Sequence, residues 1–264
     1  MKHAAISQQQ QLEYDSRGFI VVSGLIPESF LKAYEERFIA FARGEVEPTS
    51  EMKIMRDIMV VRGAVEPEST LHAVNKMINF EDDPVLYGYT LQPGLTAAIR
   101  ELIGPEIYSV STNIFNKPPG VDGRHPLHQD LRYFRIRPAD KIVGTWTPFI
   151  DTTRESGCLA AIPGSHKGTL LDHEEPDWEY LNAGFFGIDS IDVSGRAHLE
   201  MRRGDTLLFH PLLVHGSGRN LSGNFRRAIS SHYASTECES PNRDWRVGKQ
   251  ARLIPLGDRP RFSG

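Results

Sequence analysis

An imidazole and a carboxylate two residues apart, His128 and Asp130, sit in the stretch Arg124-His-Pro-Leu-His-Gln-Asp-Leu-Arg-Tyr-Phe-Arg-Ile136, and they converge on one small ion only if the chain there is extended. Side chains at i and i+2 of a strand project the same way from Cα atoms roughly 6.7 Å apart, at about 3.3 Å rise per residue, whereas a helix splays them. Pro126 and the aromatic and β-branched run after Leu131 favour extension, so a strand is expected over Leu127 to Ile136. By the same parity His125 faces away from His128 and is expected to be structural or at a rim, while Arg132 shares the face of the two ligands.

Other stretches ask for a sheet as well. Ile107 to Asn116 is β-rich, Lys117 to Gly123 is a Pro- and Gly-containing loop, and strands are expected at Ile142 to Ile150, Cys158 to Ile162, His198 to Arg202, Thr206 to His215 and Arg226 to Ser235, which are jelly-roll spacings. Earlier, Gly18 to Val22 reads as a strand and Pro27 opens a helix with Phe30, Leu31, Tyr34, Phe38 and Phe41 on one stripe. Met55 to Arg62 reads as a strand. Helical stripes are expected from Leu71, Val74, Met77 and Ile78 and again over Thr96 to Ile103 before Gly104-Pro105. The expected fold is mainly β with flanking helices, a cupin-like double-stranded β-helix or jelly roll, in a single domain over 1–264 with a helical part about 1–105 and a core about 106–236. A length of 264 residues suits one such domain. The acidic, aromatic insertion from Asp172 to Ser194 is expected to be a lid or substrate wall, or a structural loop.

A distal segment, Phe209-His-Pro-Leu-Leu-Val-His215-Gly-Ser-Gly-Arg-Asn220, adds a second imidazole at His215, and Arg226 follows after ten residues. Two imidazoles and one carboxylate form the facial triad that suits non-haem Fe(II) and leaves about half an octahedron open. In the usual chemistry of such sites 2-oxoglutarate takes two of those positions and O2 the third, with ascorbate as reductant. The far carboxylate of the cosubstrate then needs a planar, permanently charged partner such as Arg226. Ser217 shares the parity of His215 and is a candidate donor to the same cosubstrate.

The pattern His-x-Asp, distal His, ten residues, Arg resembles that of Fe(II)/2-oxoglutarate oxygenases, and the surrounding words resemble the phytanoyl-CoA dioxygenase family. Those words are Met55-Arg-Asp57, Asn116-Lys-Pro-Pro119, His125-Pro-Leu-His-Gln-Asp-Leu131, Gly157-Cys-Leu159, Pro163-Gly-Ser-His-Lys-Gly168, Gly204-Asp-Thr206, Phe209-His-Pro-Leu-Leu213 and His215-Gly-Ser-Gly218, spanning about Tyr14 to Glu239. The resemblance implies that Arg226, rather than Arg227, anchors 2-oxoglutarate. It places Trp146, Asn113 and Arg62 beside the cosubstrate, and Gln129, inside a matched word, is read with them. It implies a branched acyl-CoA such as phytanoyl-CoA, hydroxylated next to the thioester. Lys117, Arg124 and Arg132 are the candidate substrate contacts, because CoA carries phosphates.

The net charge of −4 gives no reason to expect a nucleic acid partner. Two cysteines do not make a disulfide framework and fit a reducing compartment. No signal peptide, membrane-spanning run or Ser-Lys-Leu tail is seen, so a cytoplasmic location is expected, or a peroxisomal one if a targeting signal was removed. The alternatives are a same-family hydroxylase of a small molecule without CoA, and a jelly-roll module that holds a metal without catalysis. His166, His173, His210 and His232 are left without a ligand role.

Overall fold

The computed structural model describes residues 5–239 and 251–254; the tail at 261–264 lies outside them. In chain order the elements are α1 Gln8–Arg17, β1 Phe19–Val22, α2 Glu28–Arg43, β2 Lys53–Arg56, α3 Ile58–Val61, α4 Thr70–Ala73, β3 Val74–Ile78, α5 Pro84–Tyr87, α6 Pro93–Ile103 and β4 Ile107–Lys117. They continue with β5 His125–His128, β6 Ile142–Pro148, β7 Leu159–Ala161, β8 Ala197–Leu199, β9 Thr206–Phe209, β10 His215–Ser217, β11 Arg226–Ser235 and β12 Arg252–Ile254.

The strands form two antiparallel sheets. The larger runs β1-β9-β6-β11-β4-β3-β2, with β12 paired to β4, and the smaller runs β5-β10-β7-β8. This is the expected jelly roll: two sheets face each other, and helices cover the outer face of the larger one. The outer face is apolar because it must dry against those helices. Ile114, Val143, Leu208, Ile229 and Tyr233 of the sheet pack with Tyr34 and Phe38 of α2 and Leu95 and Ile99 of α6. A fully buried side chain of this kind contributes about 1.5–3 kcal/mol. Between the sheets a smaller core joins Trp146, Leu207 and Phe209 to Leu159, Ala161 and Leu199.

Strand register fixes what the inner face presents. Across β4, β11 and β6 it aligns Asn113, Ser230 and Trp146 in one row, and Ser111, His232 and Gly144 in the next. Lys117 pairs with Arg226 at the end of the ladder. The alternation of a half-buried strand puts all of these on one side.

Four expected elements are corrected, one of them the strand read over Thr206 to His215, which divides into β9 in the larger sheet and β10 in the smaller. The strand read over Met55 to Arg62 stops at Arg56, because Asp57 caps a helical turn by accepting from the Met59 N–H at 2.9 Å. The helical stripe through Ile78 ends at Ala73, and Val74–Ile78 becomes β3, paired to β4 through Lys76↔Phe115 and Ile78↔Asn113. Partner strands override local propensity there. The strand read over Leu127 to Ile136 ends at His128, and Asp130–Tyr133 is a 3-10 turn.

The smaller sheet brings β10 very close to β5. A Cβ on Gly216 would stand 2.8 Å from the His125 carbonyl oxygen and 2.9 Å from that of Pro126, both backbone atoms. Gly216→Ala is therefore expected to push the strands apart at a cost of about 1–3 kcal/mol, while Gly218→Ala, with nothing within 4 Å of its Cβ, leaves stability near wild type. Urea denaturation of the two variants distinguishes them, and equal midpoints would refute the close-approach account.

Candidate metal centre and cosubstrate cavity

His128 ends β5 and His215 begins β10, and the two are register partners across the smaller sheet. Asp130 follows on the 3-10 turn, whose first backbone N–H after it, that of Leu131, donates to the Pro211 carbonyl at 2.9 Å. One ligand atom from each of His128, Asp130 and His215 falls within 4.8 Å of the others, and all three residues are buried.

Hydrogen bonding sets which nitrogen of each ring faces the cluster. His128 Nδ1 lies 2.8 Å from the Pro126 carbonyl oxygen and His215 Nδ1 lies 3.0 Å from that of Leu213, so each Nδ1 carries the proton and donates it. Each Nε2 is left with a lone pair. Those lone pairs face Asp130 Oδ1 at 3.1 Å and 3.9 Å. Burial, and then the neighbouring His128, push the His215 imidazole down to about 4, so it is neutral near pH 7. Burial works against the charge on Asp130, but the surrounding imidazoles of His215 and His232 and the hydrogen bond that His232 donates outweigh it and hold the carboxyl well below its usual range. Two imidazole nitrogens and an anionic oxygen aimed at one point fit a divalent cation and suit Fe(II).

The centre opens into a cavity of about 320 Å³. At its other side lie two buried cations. Arg226 is 2% exposed, donates from Nη2 to the Gly157 carbonyl at 3.1 Å, and leaves its buried Nε without a partner. Burial pushes its pKa down to about 10. Lys117 donates from Nζ to Ser217 Oγ at 2.7 Å and to the Gly218 carbonyl at 2.6 Å. Burial and then the charge of Arg226 push its pKa well down. Among the described residues neither cation has a carboxylate ion partner, so this end is built for an anion brought from outside. Trp146 packs against it, its ring centroid 5.4 Å from the Arg226 guanidinium carbon.

His128, Asp130, His215, Arg226, Ser217, Trp146, Asn113 and Lys117 all line this one cavity. Four expected contacts do not. Arg62 is exposed on the turn after α3 and donates to the Glu179 carbonyl. Gln129, adjacent to His128 on an extended backbone, points the other way, donating to the Thr169 and Leu212 carbonyls and accepting from the Leu171 N–H. Arg124 forks onto Asp122 and lies over Trp178. Arg132 loses the parity expected of it because it stands on the 3-10 turn; it is exposed, over the Phe186 ring.

His125 is also corrected. A register shift in the β5–β10 ladder, with His128 opposite His215 but His125 opposite Ser217, cancels the strand parity. Its ring stacks between His128, at 4.0 Å, and Phe185, at 3.9 Å. Phe185, with Ala183 and Gly184, lines the cavity, so the Asp172 to Ser194 insertion forms part of its wall. Asn182 ties that wall to the 57–61 turn, donating to Asp57 Oδ2 at 3.0 Å and accepting from the Ile58 N–H at 2.9 Å.

Two cavity residues were missed. Lys76 falls within the segment whose apolar stripe suggests a helix; on β3 its ammonium lies 4.8 Å from the Phe115 ring centroid, and burial pushes its pKa down to about 8. His232 carries no motif of its own. Gly144 makes room beside it: a Cβ there would meet Phe209 Cζ at 2.4 Å, and that ring backs His215 at 4.8 Å. Of the other histidines, His166 lies 3.2 Å from the Asp15 carbonyl oxygen and His173 Nε2 accepts from the Gln129 N–H.

A family model described as phytanoyl-CoA dioxygenase (PhyH) matches residues 14–228. A probable phytanoyl-CoA dioxygenase of Caenorhabditis elegans is 40% identical over 240 residues, which is 88% of this chain and 76% of the relative. The peroxisomal phytanoyl-CoA dioxygenase of Homo sapiens is 38% identical over 238 residues, 88% of this chain and 70% of the relative. Among solved structures, the non-haem alpha-ketoglutarate-dependent carbocyclase SnoK from nogalamycin biosynthesis superimposes with a TM-score of 0.69 at 16% identity, covering 95% of this chain and 97% of that one. EvdO2 from Micromonospora carbonacea var. aurantiaca, complexed with 2-oxoglutarate, gives 0.64 at 19% identity over 91% of this chain and 96% of that one. At such identities these structures speak for the fold.

His210 lies away from the donor cluster, and its Nδ1 accepts from the Leu212 N–H at 3.1 Å. Burial and then His166 push its pKa from 6.5 to about 4, against a smaller opposing pull from Asp140. The unfolded chain therefore takes up a proton that the folded one refuses. This contribution to stability is complete above pH 6.5 and is lost as pH falls toward 4. Between pH 7 and pH 5 wild type is expected to lose about 2 kcal/mol more than His210→Asn, whose amide oxygen keeps the acceptor without titrating. Urea denaturation at the two pH values checks this, and parallel losses would refute it.

Proposed function

The chain belongs to the phytanoyl-CoA dioxygenase family, and we propose that it hydroxylates a branched acyl-CoA of the phytanoyl-CoA type at the carbon next to the thioester. It is a 2-oxoglutarate-dependent dioxygenase with Fe(II), 2-oxoglutarate and O2 as cofactor and cosubstrates and ascorbate as supporting reductant. The observation that carries the assignment is the geometry of one cavity, with a three-donor cluster on one side and Arg226 and Lys117, two buried cations without a carboxylate ion partner among the described residues, on another.

In this proposal His128, Asp130 and His215 hold the metal. When bound, ferrous iron with 2-oxoglutarate and O2 supplies the oxidising power that turns a C–H bond into C–OH as succinate and CO2 are released. The protein contributes binding, order and shielding. Arg226, with its unpartnered Nε, receives the far carboxylate of 2-oxoglutarate, Ser217 and Lys117 complete that anchor, and Trp146 and Asn113 flank it. Lys117 thus moves from the substrate to the cosubstrate. Lys76 adds a further positive charge on the β3 side. Phe115, Phe134 and Phe185 present an apolar lining suited to an aliphatic chain, and their rings keep water from the reacting carbon. Tyr133 is 42% exposed, lines the cavity and adjoins Arg132, which leaves Arg132 as the cation at the mouth for a CoA phosphate.

We further take residues 1–264 as one catalytic domain. Among the described residues no helix is long and apolar enough to cross a membrane. Cys158 and Cys238 are free and buried, in keeping with a reducing compartment, cytoplasmic or peroxisomal.

Succinate release with Fe(II), ascorbate and 2-oxoglutarate is expected to rise with phytanoyl-CoA and not with the free acid. Turnover with the free acid or an unrelated small molecule alone would transfer the assignment to a hydroxylase without CoA, and no release with any substrate would favour a binding module. Arg226→Met is expected to raise the KM for 2-oxoglutarate about 10- to 100-fold, the value of losing a charge-assisted contact. Asp130→Ala is expected to abolish turnover.

A further inference from the structure

Asp130 has two carboxylate oxygens, and the contacts to His128 and His215 are both made by Oδ1. The other, Oδ2, lies 2.6 Å from Nε2 of His232. His232 comes from the middle of β11, on the opposite sheet from the two histidine ligands. Its ring is 6% exposed, packed 4.7 Å from the Phe134 ring and 5.9 Å from that of Phe209. Its Nδ1 lies 3.0 Å from Ser111 Oγ, the hydroxyl of its register partner on β4.

An ionised carboxylate only accepts, so Nε2 must carry a proton and donate it to Oδ2. Nδ1 is then free to accept from the Ser111 hydroxyl, which fixes the tautomer. Asp130 stands on a 3-10 turn rather than on a strand, so its backbone does less to set its side-chain direction than the ladder does for His128 and His215. His232 supplies that direction from across the cavity.

We propose that His232 is a positioning residue for the metal centre: it withholds Oδ2 of Asp130 and turns Oδ1 toward the point that His128 and His215 share. This role presupposes that those three residues hold the metal. Residues hydrogen-bonded to metal ligands commonly change affinity 10- to 100-fold when replaced.

The test uses Mn(II) alone as probe, added to the metal-stripped full chain, with unbound Mn(II) followed by electron paramagnetic resonance. His232→Gln places an amide N–H where Nε2 stood, while His232→Asn is too short to reach Asp130 and keeps only a polar group toward Ser111. Asn is expected to weaken Mn(II) binding tenfold or more, and Gln to restore most of it. Near-UV circular dichroism and the thermal midpoint verify that both variants are folded. His232→Leu, if it folds, is expected to match Asn. Asn and Gln variants that bind Mn(II) equally well, or an Asn variant as tight as wild type, overturn the positioning role. Wild-type protein that binds no Mn(II) overturns instead the metal centre beneath it.

Discussion

Two imidazole nitrogens and a carboxylate oxygen are held within 4.8 Å of one another in a buried place, and this arrangement governs the rest of the structure. Donors left facing each other in a dry interior repel, and a cation converts that repulsion into binding. The fold must therefore hold them together by other means. It does so with the β5–β10 pairing, with backbone carbonyls that take the Nδ1 protons, and with a close strand approach that only Gly216 permits. Phe209, seated over Gly144, closes the back of the site.

A second constraint is the separation of charge across the cavity. The donor cluster attracts a cation, while Arg226 and Lys117 sit side by side without a carboxylate ion partner among the described residues. Burying two like charges together is costly unless an anion joins them, so the protein carries an unmet demand for the kind of ligand that 2-oxoglutarate is. Strand register makes both sites from one surface, since the inner face of β4 and β11 runs from Lys117 and Arg226 at one end toward Ser111 and His232. The wall segment around Phe185 faces that surface and is fastened by Asn182 to Asp57, joining a long insertion to a turn more than a hundred residues earlier.

Much of this was legible in the residues, and the failures have specific causes. His128, Asp130 and His215 were identified from donor chemistry and spacing, although Asp130 reaches the cluster from a turn and not from the strand that the spacing suggested. His125 was placed on the wrong face because a ladder irregularity leaves no mark in a period-two pattern. Leu71, Val74, Met77 and Ile78 fit a helical stripe, and only pairing with β4 makes the last part a strand, which is why Lys76 went unnoticed. Arg62, Arg124 and Gln129 stand in or near matched words, yet each is satisfied by a local partner that no motif reveals.

The sequence by itself determined the donor set, the two-sheet architecture and the family, because ligand chemistry, alternation and recurring words are local properties of the chain. Only the tertiary structure decided which cations face the cavity, that His125 stacks on His128, and that His232 holds the second oxygen of Asp130. Those depend on register and on contacts between strands a hundred residues apart, where a shift of one position turns a side chain from one face of a sheet to the other.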